Sequence, residues 1–147
     1  MASYNKDLYK QIILEHYDFP DNKVDSLEDK TEYKSYHNKS ESCIDDFEFF
    51  IKMNNNIIVD IKFIGVGCAI STSSTDILCN NILKKSLSEA QIIINEYKKM
   101  IDNIEYNKEI LNEAIAFENI NKQQNRIKCA LIGYDSITNL IRDIKNA

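Results

Sequence analysis

The sequence predicts an α+β fold in which a cluster of helices packs on one face of a small antiparallel sheet. Two strand-like runs, F-E-F-F-I-K-M at 47–53 and I-I-V-D-I-K-F-I at 57–64, are joined by Asn54-Asn55-Asn56 and read as a β-hairpin. One amphipathic helix precedes the hairpin, and only helical patterns follow it from Ala69 onward. A hairpin and several helices that each carry an apolar face bury those faces by stacking as layers. No internal repeat or linker is visible, so residues 1–147 are expected to form one domain.

Each element has a local cause. Between residues 4 and about 18, Leu8 and Ile12, and likewise Tyr9 and Ile13, stand four apart on one helical face, and Pro20 stops the helix. Residues 20–42 are polar and charged and are expected to form a long loop with at most a short strand. In the hairpin, Phe47, Phe49, Ile51 and Met53 are expected to share one face, as are Ile57, Val59, Ile61 and Phe63. Helices are expected at about 69–84, 87–101, 107–118 and 129–145, the second opened by a capping signal from Ser86 and Glu89.

The bulk properties exclude some classes of function. With 44% apolar and 28% charged residues, the chain is composed like an ordinary soluble globular domain. It holds no run of roughly 18 apolar residues, so no membrane span is expected. The N-terminal stretch lacks the apolar centre of a secretory signal, which makes the cytoplasm the expected location. There, cysteines are expected to be reduced thiols or metal ligands rather than disulfides. A formal net charge of −5 argues against nucleic acid as a partner.

Three of the four cysteines fall at expected element boundaries. Cys43 precedes the first hairpin strand, Cys68 lies between the second strand and the next helix, and Cys129 lies at the expected start of the last helix. At a helix N-terminus, unpaired backbone N–H groups and the positive end of the dipole favour thiolate, the form that binds metal and attacks sulfur. Asp45 follows Cys43 by two residues, so both side chains project to one side of an extended segment. Three sulfurs and one carboxylate suit a tetrahedral ion, and zinc accepts both donor types. The spacing contains no C-x-x-C, and on pattern alone three buried apolar cysteines are the commoner outcome. Two of the chain's three glycines, Gly65 and Gly67, stand just before Cys68, where they are expected to permit a tight turn from strand to helix.

Four segments in order, L-Y-K-Q-I-I-L-E-H-Y, C-I-D, F-I-G-V-G-C-A-I-S and R-I-K-C-A-L, resemble the NifU N-terminal/IscU/SufU family over nearly the whole chain. The resemblance implies a SufE/NifU-like fold and a role in handling sulfur for iron–sulfur cluster assembly. Lys128 stands directly before the last cysteine, where IscU-type scaffolds carry histidine; this and the long helical stretch between Cys68 and Cys129 are similar to the SufU branch. By that resemblance the ligands of a zinc ion are Cys43, Asp45, Cys68 and Cys129. Cys43 is then the acceptor of persulfide sulfur from a SufS-like cysteine desulfurase, with downstream iron–sulfur assembly proteins as recipients. The alternative it implies is an assembly scaffold that binds iron or a transient Fe–S cluster at the same Cys3Asp site. The family's C-G-D reads C-I-D here, with Ile44 in the middle, and a rebuilt loop can present Asp46 instead of Asp45.

Other residues have plain structural roles open to them. Cys79 follows Cys68 by eleven residues on one helix, a rise of about 16 Å, so it cannot share an ion with Cys68 and is expected to be a buried cysteine. His16 is expected to make a structural hydrogen bond, and His37 to be exposed in the polar loop. Arg126, three residues before Cys129, is either a solvated side chain or a cation that offsets the charge of a four-anion zinc site or meets the desulfurase. The run A-I-S-T-S-S-T after Cys68 can offer hydroxyls to the site, but close packing of helix on sheet is the simpler expectation.

Overall fold

The computed structural model describes residues 2–39 and 45–146, with side chains over 6–38 and 45–146. Helix α1 (Ala2–Asp18) leads into strands β1 (Tyr33–Lys39), β2 (Asp46–Asn54) and β3 (Ile57–Val66), followed by α2 (Ala69–Ile82), α3 (Leu87–Ile101) and α4 (Gln124–Lys145). The strands form one antiparallel sheet in the order β1-β2-β3. The α+β architecture expected from the sequence is therefore the observed one. No helix among the described residues is long and apolar enough to cross a membrane.

The hairpin turns through Asn55 and Asn56, both at positive φ (51° and 69°), which suits the twist of paired strands. Phe47, Phe49 and Ile51 are fully buried, and Phe63 of β3 packs edge-on against Phe47 with ring centroids 5.4 Å apart. The expected face of β3 is only half right. Lys52 pairs with Asp60 but Met53 pairs with Ile58, so Val59 is an extra residue in the ladder. This bulge reverses the alternation beyond it, and Ile58 rather than Ile57 or Val59 is fully buried beside Ile61 and Phe63.

The expected loop at 20–42 contains a full edge strand. β1 pairs from Tyr33–Lys52 to Lys39–Asp46, although its sequence Y-K-S-Y-H-N-K carries no apolar alternation. An edge strand needs little apolar surface, and this one is tied to α4 by polar contacts instead. Asn139 donates to the Tyr36 hydroxyl at 3.0 Å, and Asn38 donates to Ser136 Oγ at 3.0 Å. Earlier in the same stretch, Phe63 N–H donates to Asn22 O and Val24 N–H to Phe63 O, fastening the chain after α1 to β3.

Two helical expectations shift. The segment at 107–118 is a chain of 3-10 turns, Lys108–Ile110, Asn112–Phe117 and Ile120–Lys122. Asn112, at φ 50°, cannot continue a right-handed helix, and Asn81 holds the break by donating to Leu111 O at 2.8 Å. α4 begins at Gln124, about a turn and a half before Cys129. α3, in contrast, opens on the expected capping box, with reciprocal Ser86 and Glu89 hydrogen bonds.

α2 is the central helix, packed against α1, α3, α4 and β3 and buried along almost its whole length. Its run of small hydroxyl residues allows that close approach. Ser73 donates back to Ala69 O at 2.6 Å and Ser74 to Ser71 O at 3.3 Å, so both hydroxyls are satisfied within the helix.

Candidate metal centre

Asp45, Cys68 and Cys129 converge: one ligand atom from each lies within 4.8 Å of the other two. Three elements make that meeting possible. Asp45 directly precedes β2 and is only 1% exposed, Cys68 is the N-cap of α2, and Cys129 is buried on α4. Cys43 falls within 40–44, outside the described residues. Thiolates about 2.3 Å from a tetrahedral zinc ion sit roughly 3.8 Å apart, so the three donor atoms need move little to close on one ion. The donor set also has the right chemistry, since zinc takes thiolate and carboxylate together.

The local geometry of Cys68 follows from its position. Its extended backbone (φ −73°, ψ 174°) ends the strand direction, while its Sγ accepts from Ser71 N–H at 3.4 Å as an N-cap does. Cys68 therefore stands, as expected, at a helix N-terminus. The same expectation fails for Cys129. It lies in the second turn of α4, where the backbone N–H groups are already paired and the dipole has largely fallen away.

The tight turn expected of both glycines divides into two roles. Gly65 lies inside β3 at φ +134°, opposite Phe47, where a Cβ would stand 1.9 Å from Asp46 O. Gly67 makes room for the centre: a Cβ there would stand 2.5 Å from Ser71 Oγ, 2.5 Å from Phe47 Cζ and 2.9 Å from Asp45 Oδ1.

Of the two adjacent carboxylates, Asp45 faces the cysteines. Its Oδ1 accepts from Cys68 N–H at 3.0 Å and from Ser71 Oγ at 2.8 Å. Asp46 engages His37 instead, Oδ1 to Nε2 at 2.5 Å, and both of those side chains are about half exposed. Arg126 is exposed in the first turn of α4. Cys79 is fully buried inside α2, and burial pushes its thiol well above the usual range, so it stays protonated. Within the small-residue run for which packing was the simpler expectation, Ser71 instead offers its hydroxyl to the site, donating to Asp45 Oδ1 at 2.8 Å. Its signal was the spacing, a hydroxyl three residues after an N-cap cysteine.

A second group of His and carboxylate side chains, His16, Asp21 and Asp76, also comes close together. Asp76 is fully buried, and its oxygens are already taken. Oδ1 accepts from Asn22 N–H (2.8 Å) and Asn22 Nδ2 (3.1 Å), while Oδ2 accepts from Asp21 N–H (3.0 Å) and His16 Nδ1 (2.6 Å). With Glu113 at 2.9 Å from the other ring nitrogen, His16 is a structural clamp between α1, α2 and the 3-10 segment, which agrees with its expected hydrogen-bonding role. The Asp76 hydrogen bond, opposed by burial and aided by Glu113, raises the His16 pKa from 6.5 to about 9. Because the folded value lies above the unfolded one, the clamp stabilises fully below pH 6.5 and is lost as pH rises through 9. Urea unfolding is expected to lose on the order of 2 kcal/mol across that window, less than the full shift because solvent screens half-exposed Glu113. His16→Gln should flatten this slope; an equal slope in the variant would contradict the assignment.

The chain is similar to several known proteins. The family model described as NifU-like N terminal domain matches residues 8–146. The zinc-dependent sulfurtransferase SufU of Bacillus subtilis (strain 168) is 30% identical over 131 residues, covering 88% of this chain and 86% of that protein. The iron–sulfur cluster assembly scaffold protein IscU of Streptococcus pyogenes serotype M1 is 31% identical over 108 residues, covering 72% and 67%. The crystal structure of FiSufU from Fervidobacterium islandicum AW-1 superposes with a TM-score of 0.80 at 24% identity, over 89% of this chain and 94% of the other. That last likeness establishes the fold.

Proposed function

Because the chain belongs to the NifU-like N terminal domain family, we propose that it accepts sulfur from a SufS-like cysteine desulfurase for iron–sulfur cluster assembly, using a zinc centre. The observation that carries this reading is the convergence of Asp45, Cys68 and Cys129 within 4.8 Å, with Cys43 two residues from Asp45 along the chain. Zinc bound there would hold the thiolates in place and mask them until the partner docks. The similarity to a zinc-dependent sulfurtransferase supports that choice, and Lys128, where scaffolds carry histidine, favours it over cluster building.

The roles divide among the chain's own residues. Cys68 and Cys129, set on two packed helices, remain as fixed ligands. Cys43 attacks, as thiolate, the outer sulfur of the desulfurase persulfide. A new S–S bond forms at Cys43, the donor's S–S bond breaks, and the donor cysteine leaves as thiolate, so charge and electrons balance without an external reductant. Asp45, the one oxygen donor, completes the set. Arg126, exposed one turn before Cys129, is placed to offset the negative charge of the centre or to meet the desulfurase. The transfer takes place in the cytoplasm, and downstream assembly proteins receive the sulfur.

The test is incubation with a cysteine desulfurase and cysteine, read by mass spectrometry and by turnover. The expected result is one added sulfur on Cys43 and faster turnover, both lost in Cys43→Ala. Unchanged turnover with no added sulfur would remove the acceptor role. Iron and labile sulfide retained on the chain would favour the scaffold reading, which the similarity to IscU raises.

A further inference from the structure

Ser71 is fully buried, and its hydroxyl lies between two of the proposed ligands. Its Oγ is 2.8 Å from Asp45 Oδ1 and 3.4 Å from Cys68 Sγ. A serine hydroxyl has one proton to give. The charged carboxylate is both nearer and the stronger acceptor than Cys68 O at 3.2 Å, so the proton goes to Asp45. The backbone N–H of the same residue points at Cys68 Sγ, 3.4 Å away. One residue thereby touches the carboxylate through its side chain and the sulfur through its main chain.

The pattern of acceptors gives this contact a consequence for metal binding. Cys68 N–H and Ser71 Oγ both donate to the same oxygen, Asp45 Oδ1. With those lone pairs engaged, Oδ2 is the oxygen left to meet an ion. We propose that Ser71 is a positioning residue of the metal centre, holding Asp45 as a one-oxygen ligand in register with Cys68. This rests on the zinc reading above. Gly67 supports it sterically, because any side chain at that position would drive into Ser71 Oγ and Asp45 Oδ1 together.

Zinc affinity of the full chain, measured by competition with a chelator, tests the role. Ser71→Ala should bind zinc about 10–100-fold more weakly, the usual effect of removing a hydrogen bond to a metal ligand. Ser71→Thr keeps the hydroxyl and should stay within a few-fold of wild type, with circular dichroism showing that both variants fold. In an Asp45→Ala background, Ser71→Ala should cause no further loss, since no carboxylate remains to be positioned. Equal affinity of Ser71→Ala and wild type, equal losses in the Ala and Thr variants, or an undiminished loss in the Asp45→Ala background would each overturn the role of Ser71. A wild-type chain that takes up no zinc would instead overturn the reading beneath it.

Discussion

Asp76→Ala is expected to lower the unfolding free energy by about 3–5 kcal/mol, the cost of removing one partner from a buried charged pair. The magnitude follows from what is left behind. Asp76 is fully buried and accepts from His16, from the backbone of Asp21 and Asn22, and from the Asn22 side chain. Truncation takes the acceptor from His16 Nδ1 and from the Asp21 and Asn22 backbone N–H groups at once, leaving His16 only Glu113 and the Asn22 side chain only Asn80 and Asp76 O. These contacts fasten the end of α1 and the chain after it to the central helix. Small domains are stable by only about 5–15 kcal/mol, so the loss is a large share. Urea denaturation at pH 7 measures it. Asp76→Asn, which keeps the volume and one acceptor, should cost less. A change below about 1 kcal/mol in Asp76→Ala would show that the network carries little of the fold's stability.

Removal of a cysteine from the proposed centre should have the largest functional effect. Structural zinc sites gain roughly 10–16 kcal/mol from four ligands, so Cys129→Ala or Cys68→Ala should weaken zinc binding by about a hundredfold or more. Cys79→Ala is the internal control. It lies some 16 Å along α2 from Cys68 and should leave zinc retention unchanged. Chelator competition on the four proteins reads the difference. Retention that survives loss of Cys129 would mean that α4 supplies no ligand.

The sequence carried the larger part of this fold openly. The Asn-rich hairpin, α1 up to Pro20 and the Ser86–Glu89 capping box each rest on interactions between residues near one another in the chain, and local patterns report such interactions. The misses depended on distant contacts. β1 lacks apolar alternation because Asn139 and Ser136 of α4 hold it through hydrogen bonds. The bulge at Val59 cannot be read from an unbroken apolar run, and Asn112 leaves helical geometry because Asn81 anchors the neighbouring carbonyl.

The centre was legible in a similar proportion. Of the residues singled out by the boundary cysteines and the C-x-D pair, Asp45, Cys68 and Cys129 come together, while Cys43 lies outside the described residues. The dipole argument misled at Cys129 because the start of α4 is set by Gln123 and Gln124, which carry no strong capping signal. Ser71 sits inside a run of small residues in which Ser73 donates only within the helix and Ser74 donates to Ser71 O and, at 3.5 Å, towards Cys129 O. Its difference from them is one of direction, visible only once β2 brings Asp45 beside it.

The most direct test of a zinc-holding sulfur acceptor is metal and sulfide analysis of the chain purified without oxygen. A colourless protein with about one zinc per chain, lost on replacing Cys68 or Cys129, is the predicted result. A brown protein carrying iron and labile sulfide in place of zinc would contradict it.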